Sequence, residues 1–177
     1  MTGAPSGAAG ASSNAPGASG DALSASSDAL GCPTFLTVGE GAEYARVISA
    51  GDIAAFAGLS GDHDPVHVDA DFAARTAFGR VIAHGALVMG LLSTTASMMS
   101  RRSVERGSPG TPVSAGYDRI RFTRPVFAGE ELVARYVVEE VDDARGRTRA
   151  MVRVETAGGE VCVVGTHLLA WVRSPVT

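Results

Sequence analysis

The stretch Val81-Ile-Ala-His-Gly-Ala-Leu-Val-Met-Gly-Leu-Leu-Ser-Thr-Thr-Ala-Ser-Met-Met99 contains no Asp, Glu or Arg, and the whole chain contains no Lys. Its length is close to that of a membrane span. His84, Ser93, Thr94, Thr95 and Ser97 weaken insertion, however. A helix that is apolar nearly all round is expected as the buried central helix of a globular domain. Met89, Met98 and Met99 are expected in its core contacts.

Beyond Gly107 the texture changes. Residues 113–124, 131–141, 147–156 and 160–173 read as strands. Ala150, Val152 and Val154 alternate with Arg149, Met151, Arg153 and Glu155, the pattern of a half-buried antiparallel strand. Ala128-Gly129, Asp142-Asp-Ala-Arg-Gly146 and Gly158-Gly159 separate these runs as hairpin turns, which predicts a four-strand meander. Cys162 lies in an apolar run and reads as a small core residue.

Upstream of the helix, residues 36–48 predict one or two short strands. Ser49 and Asp52 stand at capping-box spacing before a short helix to about Gly58. Pro65 interrupts any helix through Ser60-Gly-Asp-His-Asp-Pro65, so that segment reads as a loop. His63 is expected to be exposed there, and His167 to lie in a strand. Asp69 and Asp71 open a second short helix. Residues 1–31 are almost entirely Ala, Gly and Ser, and are expected to form a disordered tail. A globular domain is expected over 32–177. One helix wrapped by a curved antiparallel sheet, an α+β architecture, satisfies this order, and its open sheet edges predict dimerisation.

Composition excludes several functions. The 177-residue chain has net charge -4, without the basic footprint of a nucleic-acid binder. Absence of Lys removes Schiff-base and Walker-type lysine chemistry. Two cysteines, Cys32 and Cys162, cannot build a disulfide framework or a Cys-rich zinc site. The first basic residue is Arg46, so a targeting leader has nothing to build on, and a cytoplasmic protein without a membrane span is expected.

Asp62 and His67 flank a Pro-containing turn, which can aim a carboxylate and an imidazole at one water. Such a pair is a minimal acid–base machine. Gly85 stands where the long helix starts, and free N–H groups there favour a developing oxyanion. Taken singly, these residues have plainer readings. Asp62 alone could be a turn residue, His67 a structural histidine, and Ser93 a polar residue bonded to its own helix. His84 reads as a structural residue at the helix start.

Taken together, Asp62-His-Asp-Pro-Val-His67, preceded by Ser60-Gly61 and followed by Phe78-Gly79 and Ile82-Ala-His-Gly85, resembles the hydratase signature of MaoC-like hot-dog proteins. That family includes the (R)-specific enoyl-CoA hydratases. Arg121-Phe-Thr-Arg-Pro-Val126 and Gly129 resemble the family's strand and turn after the helix. The resemblance, which spans about 35–173, implies a hot-dog fold and reversible hydration of a trans-2-enoyl thioester to an (R)-3-hydroxyacyl thioester. It makes Asp62 and His67 the catalytic pair and Gly85 the oxyanion N–H, with Ser93 and His84 in the substrate pocket. It implies no metal and no separate cofactor, because coenzyme A or a carrier-protein arm belongs to the substrate. A homodimer or dimer of dimers follows as the expected assembly. Asp64 stands where the family usually has Asn, and so adds a charge near Asp62; Glu130 stands where Asp is frequent.

Three other readings compete. His67-Val-Asp69 with His84 offers the ligand types of a non-haem iron triad, although helix capping also accounts for Asp69. A non-catalytic acyl-thioester-binding module should have lost Asp62 or His67. A thioesterase on the same fold would yield a free acid instead of a hydroxyacyl thioester.

Overall fold

The computed structural model describes residues 32–173. The expected tail, residues 1–31, lies outside the described residues. The order is β1 (Gly41–Val47), α1 (Ala50–Ser60), α2 (Pro65–Val68), α3 (Ala70–Ala74), α4 (Gly85–Glu105), β2 (Gly110–Phe122), β3 (Glu131–Asp142), β4 (Arg147–Thr156) and β5 (Val161–Arg173). One antiparallel sheet with strand order β1-β3-β4-β5-β2 packs against α4. This is the expected α+β hot-dog arrangement. Ala150, Val152 and Val154 face inward and are fully buried, as is Cys162.

The predicted four-strand meander is corrected in one respect. Only β3, β4 and β5 are joined by hairpins. β2 pairs with β5, and β3 pairs with β1 and β4. Ala128-Gly129 is therefore not a hairpin turn but part of a crossing segment between opposite sides of the sheet. Gly129 does take a left-handed φ of 91° there. The crossing buries Val126, and the Ala83 N–H donates to the Val126 carbonyl at 2.7 Å. Strand choice is thus decided by tertiary burial and not by the local turn signal.

The long helix starts where expected and ends beyond the apolar stretch. Residues 81–84 are extended, with Ile82 in a bridge to Phe127. The helix begins at Gly85 and runs past Met99 to Glu105. Its polar last turn is held because Arg102 donates to the Gly41 carbonyl at 3.1 Å. It is not buried all round. Val88, Leu91, Leu92, Thr95, Ala96 and Met99 face the sheet, whereas Ala86, Gly90, Ser93 and Ser97 are exposed. Those outward residues are small, so they hardly lower the stretch's hydropathy yet need no cover. Met99 is buried, Met89 half-buried, and Met98 is exposed. Among the described residues no helix is long and apolar enough to cross a membrane.

Ser49 and Asp52 form the full capping box, and α1 continues to Ser60, where left-handed Gly61 ends it. Pro65 ends the expected loop, which covers residues 61–64. It occupies the first turn of the one-turn helix α2, a position where its missing N–H is not needed.

Candidate active site

Gly61 stops α1 and turns the chain so that Asp62 begins the link to α2. Asp64 caps α2, accepting from the Val66 N–H at 3.0 Å, and donates its own N–H to Asp62 Oδ1 at 3.2 Å. An asparagine would cap equally well, so the cap itself does not require the extra charge at this position. His67, on α2, is half-buried and faces the extended segment 81–84. Its Nδ1 lies 2.8 Å from the Ile82 carbonyl. A carbonyl only accepts, so Nδ1 carries a proton, and in the neutral ring Nε2 holds the lone pair.

His84 is buried at the N-cap of α4. Its Nε2 donates to the Asp62 carbonyl at 3.0 Å, and its ring stacks on His67 with centroids 3.9 Å apart. Phe56 of α1 closes the other side, 4.9 Å from the His84 ring. His84 makes no side-chain cap bond, so the first N–H groups of α4, at Gly85 and beyond, stay unbonded by a cap. His84 Nδ1 has no partner among the described residues.

Four of the expected site residues therefore meet at one place. Asp62, His67 and His84 each bring a ligand-type atom to within 4.8 Å of the others, and Gly85 follows His84 directly. Ser93 stands about 12 Å further along the helix axis, on its exposed face. His63 is exposed and His167 lies buried in β5.

Asp62, His67 and His84 also have the donor types of a metal site. One nitrogen of each histidine is bonded to a backbone carbonyl, so each ring keeps one nitrogen for any further ligand. Asp69, the third member of the iron-triad reading, instead caps α3, accepting from the Phe72 N–H at 2.9 Å.

Two features of the site were not read from the sequence. Phe122, at the end of β2, lies against Gly85 so closely that a Cβ there would come within 2.7 Å of its ring. Behind the site, Arg124 grips both Glu130 oxygens at 2.7 and 2.9 Å, and Glu130 accepts from the Phe127 N–H at 3.0 Å. Arg124 holds the Glu130 carboxyl below the ordinary carboxylate range. The closed segment holds Phe127 in its bridge to Ile82, and Ile82 in turn fixes His67. Glu130 does what an aspartate could do only with a shorter reach.

Known proteins share this fold. The family model described as MaoC like domain matches residues 37–159. The chain is 35% identical to an (R)-specific enoyl-CoA hydratase of Aeromonas caviae, over 73% of this chain and 91% of that one. It is 32% identical to a 3-hydroxybutyryl-CoA dehydratase of Methylorubrum extorquens, over 70% and 73% of the two chains. The structure of an (R)-hydratase from A. caviae superposes with a TM-score of 0.66 at 32% identity, covering 77% of this chain and 97% of that one. An R-hydratase of Pseudomonas aeruginosa gives 0.64 at 34% identity, covering 81% and 88%. With a family model spanning most of the domain and a relative matched over nearly its full length, the chain belongs to the MaoC-like domain family.

Proposed function

We propose that this protein is a hydro-lyase that reversibly hydrates trans-2-enoyl thioesters to (R)-3-hydroxyacyl thioesters. The observation that carries the reading is the tautomer of His67. Its Nδ1 proton is committed to the Ile82 carbonyl, so Nε2 is free to accept a proton beside the Asp62 carboxylate. Asp62 and His67 hold a water between them. As His67 Nε2 takes the water proton, the water oxygen bonds to C3 and the C2–C3 π electrons move onto the thioester oxygen. The N–H of Gly85 meets that oxygen at the uncapped helix start. The enolate then takes a proton at C2 from His67, which restores the base.

His84 positions both partners: it holds the Asp62 backbone and forms one wall for the His67 ring. Ser93 lines the acyl path further along α4. No metal or separate cofactor is needed, because the coenzyme A or carrier arm arrives with the substrate. A thioesterase would need water aimed at C1 rather than C3.

Among the described residues β1 and β2 are sheet edges, each bonded on one side only. These support a homodimer, or a dimer of such dimers. The buried thiols of Cys32 and Cys162 are unpaired, which fits a reducing cytoplasm.

The test is hydration of crotonyl-CoA and longer 2-enoyl-CoAs with chiral analysis of the product, before and after exhaustive dialysis against chelator. An (R)-3-hydroxyacyl product, insensitive to chelation, is expected. Free acid or loss of activity on chelation would overturn the reading. Light scattering at working concentration tests the dimer, and a monomer would remove that part alone.

A further inference from the structure

Arg80 is exposed, and its guanidinium carbon sits 4.0 Å from the centroid of the Phe127 ring. Such stacking holds a cation in a fixed pose. Among the described residues Arg80 makes no ion pair. The nearby acid that feels its charge, Glu130, has both oxygens taken by Arg124. The stacked face of Arg80 is used, and its N–H fork is left for another anion.

The position of Arg80 matters as much as its charge. Residues 81–84 form an extended ribbon clamped on two sides: Ile82 bridges to Phe127, and its N–H donates to the Val66 carbonyl at 3.3 Å. One end of the ribbon is Gly85, the other Arg80. Five residues span at most about 16 Å. A phosphopantetheine arm is of comparable length from its sulfur to its phosphate.

Resting on the hydratase reading above, we propose that Arg80, held on Phe127, binds the phosphate at the far end of the substrate's pantetheine arm. This phosphate is common to coenzyme A and to a carrier-protein prosthetic group. A guanidinium suits it because its fork matches two phosphate oxygens.

The experiment compares wild type, Arg80→Gln and Arg75→Gln on crotonyl-CoA, crotonyl-4′-phosphopantetheine and crotonyl-pantetheine. Arg75, at the C-cap of α3, is exposed and stacks on no aromatic ring among the described residues. For Arg80→Gln, KM should rise about tenfold on both phosphate-bearing thioesters while kcat stays within about twofold. The pantetheine thioester, which lacks the phosphate, should show no change, and Arg75→Gln should behave as wild type throughout. A loss confined to crotonyl-CoA would place the contact on the nucleotide and overturn the proposal. So would an equal loss on all three thioesters, or an equal loss in Arg75→Gln. Calorimetric binding of free 4′-phosphopantetheine and free pantetheine provides a readout independent of turnover. If wild type hydrates nothing, the hydratase reading fails, while weaker binding of 4′-phosphopantetheine by Arg80→Gln, with pantetheine binding unchanged, still upholds the phosphate contact. If wild type hydrates all three thioesters and Arg80→Gln matches it, only the phosphate contact fails.

Discussion

The rings of His67 and His84 lie stacked, centroids 3.9 Å and planes 29° apart, while His84 also donates to the carbonyl of Asp62. One buried imidazole thus fixes both members of the proposed catalytic pair, one by ring contact and one through the backbone. His84→Phe keeps the ring and deletes the hydrogen bond. It should lower kcat by about tenfold with little change in KM, since about 1–1.5 kcal/mol of loop positioning is lost. Steady-state kinetics on crotonyl-CoA check this, and an unchanged kcat would show that the Asp62 backbone needs no such anchor.

Asp62→Asn and His67→Gln should each reduce kcat by about 10²-fold or more, the scale of acid–base residues. Both lie at the surface end of the domain, outside the core, so thermal unfolding should stay near that of wild type. The double variant should be little worse than the poorer single, because residues sharing one water fail as a unit. Near-normal turnover by either single variant refutes the pair.

Asp64→Asn should leave both stability and turnover within about twofold of wild type, because Asn and Asp cap helices equally. Thermal melts and kcat measure this. A drop in either would mean that the Asp64 charge does more than cap α2.

Gly85→Ala should lower kcat/KM by about tenfold while unfolding shifts by less than about 1 kcal/mol. The new methyl meets the ring of Phe122, which is exposed and can swing aside, but into the space at the helix start. Adding Phe122→Ala should restore much of the lost activity. Failure of that rescue would separate the defect from the ring.

Burial holds His167 neutral, with its pKa pushed down to about 4; its Nε2 and Nδ1 meet Ser114 Oγ at 2.8 Å and Tyr136 OH at 3.1 Å. The unfolded chain takes up this proton near pH 6.5, and the folded chain only near pH 4. The stability it permits is therefore complete above about pH 6.5 and falls, by roughly 3 kcal/mol, as pH drops to about 4. Urea midpoints at pH 7 and 4.5 measure the slope. His167→Gln, which hydrogen-bonds without titrating, should flatten it. An equal slope in that variant would assign the acid sensitivity elsewhere.

Most elements and the chemistry-bearing cluster were legible in the residue pattern. Period-two alternation placed β4 at 147–156, because alternate side chains of a strand must face opposite sides whatever the strand pairs with. Ser49 and Asp52 marked the start of α1 because capping is satisfied within four residues. Asp62, His67 and Gly85 could be picked out because their spacing resembles a known signature.

How these parts meet was settled by long-range packing. The Ala128-Gly129 turn looked like a hairpin because a turn signal is local, whereas the partner of β2 was settled by burying Val126 beside Ala83. The proton on His67 Nδ1 depends on a carbonyl 15 residues away, and the anchor of Asp62 on a histidine 22 residues away. Phe122 reaches Gly85 only because β2 runs back along α4. Such contacts leave no local mark in the sequence, because each joins groups that chain connectivity keeps apart and that only packing of the sheet on the helix brings together.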